Sequence, residues 1–139
     1  MKSASSTLDV FVYGTLKPGY PNHTAYCKGK IASSIPAYTW GDLYALPMGY
    51  PAMTVGTDKV YGFLLSFNNH QAQILSSLDY LEGYQENRPL ALNEYYRISV
   101  PVYDQQSQQV IAEAWAYYMT TTKVENHQGI KVTSGCWTA

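Results

Sequence analysis

The chain has 139 residues, 46% of them hydrophobic, which is enough to bury a core without metals or crosslinks and fits one domain spanning residues 1–139. A formal net charge of -1 with 14% charged residues gives no broad electrostatic footprint for nucleic acid or anionic lipid. No apolar run resembles a signal peptide or has the length of a membrane span, and the two cysteines, Cys27 and Cys136, form no CxxC spacing; a reducing cytoplasm is the expected setting.

Leu8 to Tyr13 is a short β-branched and aromatic run that stops at Gly14, the pattern of a core strand meeting a turn. Gly14 to Asn22 holds two glycines and two prolines and reads as a loop, after which Asn22 is placed to cap a short helix through Gly29. From Ile31 to Met53, Pro36, Gly41, Pro47, Gly49 and Pro51 predict short strands broken by turns. Lys59 to Phe67 reads as a strand, and Asn68 or Asn69 then offers a helix cap.

The spacing of Ile74, Leu75, Leu78 and Leu81 predicts a helix over His70 to Glu82, with Gly83 as its stop. Tyr95 to Tyr103 and Val110 to Met119 predict two strands of an antiparallel hairpin joined by the polar Asp104 to Gln109 connection. The tail from Thr120 is polar and carries no assignment. Strands dominate without regular alternation with helices, so the fold class is α+β.

Glu82 is the most informative candidate for chemistry. Advancing about 100° per residue around an ideal helix puts it inside the apolar arc of Leu81, Ile74, Leu78 and Leu75. A carboxylate turned inward there loses solvation and sits near the negative end of the helix dipole, so both effects raise its proton affinity toward that of a general base. The alternative is a frayed last turn that leaves Glu82 in water. Asp79 lies at the edge of the arc and is expected to be exposed.

The turn Tyr13-Gly14-Thr15-Leu16 is the second candidate, because successive amides after a glycine bend can converge on an anion such as a carboxylate. On pattern alone a plain strand-to-loop turn is the reading to prefer, and the segment lacks the Lys-Ser or Lys-Thr of a phosphate loop. His23, His70 and His127 form no HxH or HExxH pattern and are read as surface residues, so no metal is expected. His23 and Cys27 stand four apart, which raises a thiol hydrolase as an alternative. Among the 14 tyrosines, Tyr96 and Tyr118 are candidates to line a site, or else to fill the core.

The run Val10 to Lys17 (Val-Phe-Val-Tyr-Gly-Thr-Leu-Lys), the segment Leu78 to Gly83 (Leu-Asp-Tyr-Leu-Glu-Gly) and the Tyr96-Arg97 pair before a Val-rich strand resemble the γ-glutamylcyclotransferase-like family in order and separation. The resemblance implies a small mixed β-barrel with flanking helices. It implies a cofactor-independent enzyme that closes a γ-glutamyl amide or amino acid into 5-oxoproline and releases the amine. In that reading Tyr13, Gly14, Thr15 and Leu16 bind the glutamyl part of a small-molecule substrate, and Glu82 moves the proton. The continuation Lys17 to His23 is similar to the branch acting on γ-glutamylamines. One departure is Phe63, where members of the family often carry an acidic residue after the glycine matching Gly62. A non-catalytic binding domain on the same scaffold is the rival reading.

Overall fold

The computed structural model describes residues 7–138, so residues 1–6 and 139 of the predicted 1–139 domain lie outside the described residues. Its strands are β1 (Leu8–Val12), β2 (Ser33–Ala45), β3 (Pro51–Phe67), β4 (Tyr96–Asp104), β5 (Val110–Tyr118) and the short β6 (Ile130–Lys131). The helices are α1 (Pro21–Tyr26), α2 (Gln71–Glu82) and α3 (Thr121–Asn126). The strand order β3-β1-β5-β4-β2 closes on itself because β2 also pairs with β3, giving a five-stranded mixed barrel with β6 added beside β2. Among the described residues only β1 and β5 pair in parallel, and every other pairing is antiparallel.

Alternation along the strands divides the apolar side chains into two cores, as the period of two requires. Phe11, Leu64, Val102, Ala114, Ala116 and Tyr118 belong to one, which fills the barrel and is closed by Trp137. Val10, Val12, Leu65, Phe67 and Tyr117 belong to the other, where they meet Ile74 and Leu78 of α2. The helix thus covers the outer wall formed by β1, β3 and β5.

The region from Ile31 to Met53 departs from its prediction. Most of it belongs to two long strands, with β2 running unbroken through Pro36 and Gly41 and a register shift between Gly41 and Asp42. β3 likewise begins at Pro51, eight residues before the predicted start at Lys59. The glycines in these strands are packing requirements instead of turn signals: a β-carbon on Gly62 would collide with the Val12 carbonyl oxygen, so β1 can approach β3 only across a glycine.

Two helix starts also differ. Pro21 occupies the first turn of α1, a position suited to its fixed φ, and Tyr20 takes the cap place expected of Asn22. α2 begins after His70 in a left-handed conformation, φ 57°, with no side-chain cap from Asn68 or Asn69. The unassigned tail is ordered around Thr120, whose hydroxyl accepts from the Lys123 amide at 3.2 Å as the N-cap of α3. Beyond β6 the chain returns over the barrel, where the buried Lys17 ammonium donates to the Trp137 carbonyl at 2.6 Å.

Gly62→Ala is expected to destabilise the barrel by about 1–3 kcal/mol through overpacking against β1. Urea unfolding checks this; an unchanged midpoint would mean that the β1–β3 contact relaxes freely.

Candidate functional site

A cavity of about 280 Å³ opens at the end of β1 and gathers the residues singled out in the sequence: Tyr13, Gly14, Thr15 and Leu16 line it together with Glu82. Chain segments far apart in sequence complete it, with Tyr50 and Pro51 from the start of β3, Glu94 and Tyr95 ahead of β4, and Tyr117 from β5.

The last turn of α2 does not fray. Gly83 adopts the left-handed conformation, φ 69°, and its amide and that of Tyr84 turn back onto the Tyr80 and Asp79 carbonyls at 3.2 and 2.9 Å. The segment before β4 then clasps the helix end, because the Tyr95 amide donates to the Glu82 carbonyl at 3.2 Å and the Glu94 amide to the Gly83 carbonyl at 3.1 Å. The Glu82 side chain is thereby held in the cavity wall.

Asp79 departs from its expected exposure. Its carboxylate accepts from Arg97 Nε at 2.8 Å, from a second Arg97 nitrogen at 3.2 Å and from the Tyr117 hydroxyl at 2.6 Å. The Arg97 side chain is 8% exposed and lies over the Trp115 ring at 4.3 Å, so this pair is largely removed from water. The helical wheel placed Asp79 at the margin of the arc; β4 and β5 rise past that margin and cover it.

The environment of Glu82 has two consequences for its proton. Burial, and secondarily the neighbouring Asp79 carboxylate, push its pKa up to about 8. By accessible area the residue is nevertheless intermediate, as a group lining a concave cavity remains reachable by small molecules. Such a carboxyl is mainly protonated at neutral pH and can both hold and release a proton within about a unit of it.

The Tyr13 to Leu16 turn presents backbone donors. The Gly14 and Thr15 carbonyls are engaged by the amides of Lys17 at 3.0 Å and His23 at 3.2 Å. Among the described residues, none accepts a hydrogen bond from the amides of Gly14, Thr15 or Leu16. Gly14 is needed here because a β-carbon would stand 2.7 Å from the Pro51 ring, which packs directly across the turn. Asn22, instead of capping α1, donates from Nδ2 to the Thr15 hydroxyl at 2.7 Å and steadies the loop.

Of the two readings open for Tyr96 and Tyr118, the core-filling one holds: they are registered opposite each other on β4 and β5, stack at 6.2 Å, belong to the core that fills the barrel and do not line the cavity. Their chain neighbours Tyr95 and Tyr117 line the cavity instead. Alternation marks two faces of a strand without saying which one borders the site. The Tyr13 hydroxyl donates to the Tyr117 carbonyl at 2.7 Å and accepts from the Met53 amide at 3.1 Å, and the Tyr95 hydroxyl donates to the Pro51 carbonyl at 2.6 Å.

The thiol alternative fails on placement. Cys27 is fully buried outside the cavity, and burial raises its thiol to about 11, which suppresses the thiolate. His23 is also buried, contrary to the surface reading, and its Nδ1 donates to the Leu16 carbonyl at 3.0 Å. His127 lies 3.1 Å from a Glu94 carboxylate oxygen. Among the described residues, no group of three or more His, Cys, Asp or Glu is gathered to hold a metal ion, and no helix is long and apolar enough to cross a membrane.

A closed mixed barrel with a helix-borne carboxyl beside a strand-end turn is the arrangement the sequence resemblance implies. The chain belongs to the family described as gamma-glutamyl cyclotransferase, AIG2-like, which matches residues 10–139. Similar solved structures include an AIG2-like protein from Mus musculus, with a TM-score of 0.62 at 15% identity, covering 95% of this chain and 88% of that one. YkqA from Bacillus subtilis matches with a TM-score of 0.64 at 23% identity over 94% of this chain, but the chain spans only 39% of YkqA. An Arabidopsis thaliana protein matches with a TM-score of 0.62 at 22% identity over 84% of this chain and 71% of that one. These similarities describe the fold. No curated protein matches the chain by sequence.

The raised pKa of Glu82 also fixes a stability trend. Below about 4.5 the carboxyl is protonated in both the folded and unfolded chains, so it imposes no penalty; as pH rises toward about 8 the unfolded chain ionises first, and stability is lost through that window. Glu82→Gln removes this contribution. Thermal melts of the variant are expected to match the wild type near pH 4 and exceed it near pH 9; parallel curves across that range would contradict a desolvated carboxyl.

Proposed function

We propose that the protein is a γ-glutamylcyclotransferase-type enzyme that converts a γ-glutamyl amide into 5-oxoproline and a free amine, with Glu82 as general base and then general acid. The observation that carries this reading is the meeting, in one cavity, of a carboxyl poised near pH 8 and a turn whose amides are open to an anion.

In a γ-glutamyl amide the substrate's own α-amine is the nucleophile. The bond from that nitrogen to the γ-carbonyl carbon closes a five-membered ring, and the bond from the same carbon to the departing nitrogen breaks. Glu82 takes a proton from the attacking nitrogen and delivers one to the leaving nitrogen, so the carboxyl ends as it began. Neither water nor an enzyme nucleophile enters the balance. The protein's contribution is to hold the chain of the substrate folded, with the α-carboxylate on the amides of Gly14, Thr15 and Leu16 and the α-nitrogen toward Glu82.

The cavity wall carries the carboxyls of Glu82 and Glu94 and, among the described residues, no basic side chain. A leaving group with its own free carboxylate is disfavoured there, which supports γ-glutamylamines over γ-glutamyl amino acids as substrates. Phe63 lies in β3 within the core against α2 and does not line the cavity, so the departure from the family pattern leaves the reacting centre intact.

Incubation with a panel of γ-glutamylamines, γ-glutamyl amino acids and glutathione, with 5-oxoproline as the readout, tests the reaction. Product from the amines is expected; binding without product would favour a non-catalytic binding domain. Glu82→Gln is expected to lower kcat by a factor of roughly 10² to 10⁴, the range of a lost general acid–base group, with ligand affinity kept. Undiminished 5-oxoproline formation by that variant would refute the role assigned to Glu82.

A further inference from the structure

We infer that the Tyr50 hydroxyl is the donor that stabilises the γ-carbonyl oxygen as it gains charge, an inference that rests on the cyclisation proposed above. Ring closure makes that oxygen an oxyanion, and a positioned donor in a desolvated cavity is among the largest contributions an enzyme can make to such a step.

Four tyrosines line the cavity, and the hydrogen-bond pattern separates them. Three have committed their protons: Tyr13 to the Tyr117 carbonyl, Tyr95 to the Pro51 carbonyl and Tyr117 to the Asp79 carboxylate, at 2.7, 2.6 and 2.6 Å. These acceptors are internal and strong, and turning any of these hydroxyls toward a substrate would leave a partner unpaired. Tyr50 is different. Among the described residues none hydrogen-bonds to its hydroxyl, although the residue is only partly exposed and its ring packs against the core beneath α2.

Its backbone is fixed for the task. Tyr50 ends the tight connection between β2 and β3, where the Leu46 amide donates to the Tyr50 carbonyl at 3.0 Å and the Gly49 amide to the Leu46 carbonyl at 3.1 Å. The next residue, Pro51, begins β3 and packs across Gly14, so Tyr50 is anchored directly beside the proposed carboxylate cradle. Burial, then the Glu94 and Glu82 carboxyls, raise the Tyr50 pKa, which keeps the phenol protonated and able to donate. Tyr50 lines the same cavity as both acids.

Besides the carboxyls, the remaining side-chain donors in the wall are Thr15 and Asn22; Asn22, from α1, donates to the Thr15 hydroxyl at 2.7 Å beside the turn assigned to the α-carboxylate. They lie on the binding side of the site. Tyr50 is the phenol left for the reacting side.

The experiment compares wild type, Tyr50→Phe and Thr15→Val on a γ-glutamylamine, with 5-oxoproline formation and thermal melts measured in parallel. Tyr50→Phe is expected to lower kcat by a factor of about 10² to 10³, with KM within a few-fold and an unchanged melting temperature because no internal hydrogen bond is lost. Thr15→Val is expected to act mainly on KM. A Tyr50→Phe enzyme with wild-type kcat, or one altered only in KM, overturns the role of Tyr50 while the cyclisation stands. A kcat loss in Thr15→Val alone reassigns the donor to Thr15. Wild-type protein that forms no 5-oxoproline from any amine in the panel withdraws the reaction and this inference together.

Discussion

The site depends on how Asp79 is held. Its carboxylate is gripped by Arg97 from β4 and by Tyr117 from β5, so one side chain of α2 is bolted to two strands of the barrel wall. Because Glu82 follows Asp79 by three residues, that attachment sets the azimuth of the last helical turn and directs the second carboxyl into the cavity. Arg97 is itself enclosed between Trp115 and Tyr84, which makes the ion pair a desolvated, directional contact of a kind that surface pairs do not provide. Removing either partner would leave a buried charge without its counterion.

The same carboxylate that fixes Glu82 in space also acts on its proton. Asp79 adds repulsion to the desolvation of the cavity, so the proton affinity of Glu82 is tuned by the residue that positions it. That arrangement costs the folded state stability at high pH, a compromise that the proposed acid–base role would explain. The tyrosines extend the division of labour: the hydroxyls of Tyr13, Tyr95 and Tyr117 tie the end of β1 and the start of β4 to β3, β5 and α2, while that of Tyr50 has no hydrogen-bond partner among the described residues.

Much of this was legible in the order of residues. The run Leu8 to Tyr13, the hairpin of β4 and β5 and the helix ending at Glu82 all carry periodic apolar patterns that local physics can read. The inward turn of Glu82 followed from helical geometry, and the turn lining the cavity from a strand that stops at a glycine. β2 and the first half of β3 were hidden because Pro36, Gly41 and Pro51 look like breaks, whereas in the closed barrel both prolines sit in paired strands and Gly41 is where Met53 of β3 comes close. Asp79 was misjudged, and the tyrosine faces stayed undecided, for a related reason. Whether a helix margin is covered, or which side of a strand meets a cavity, is decided by strands more than 15 residues away in sequence, as the Asp79 contacts with Arg97 and Tyr117 illustrate. Tyr50 and Glu94 gave no local signal; only the closing of the barrel brings them to the site.

The central claim is that Glu82 carries a proton poised near neutrality because of where α2 is pinned. Titration of its side-chain carbon by NMR in protein labelled at glutamate, assigned by its absence in Glu82→Gln, measures this without reference to any substrate. The account predicts a midpoint near 8. A midpoint near the ordinary 4.5 would mean a solvated carboxylate, and the proposed proton transfer would lose its basis.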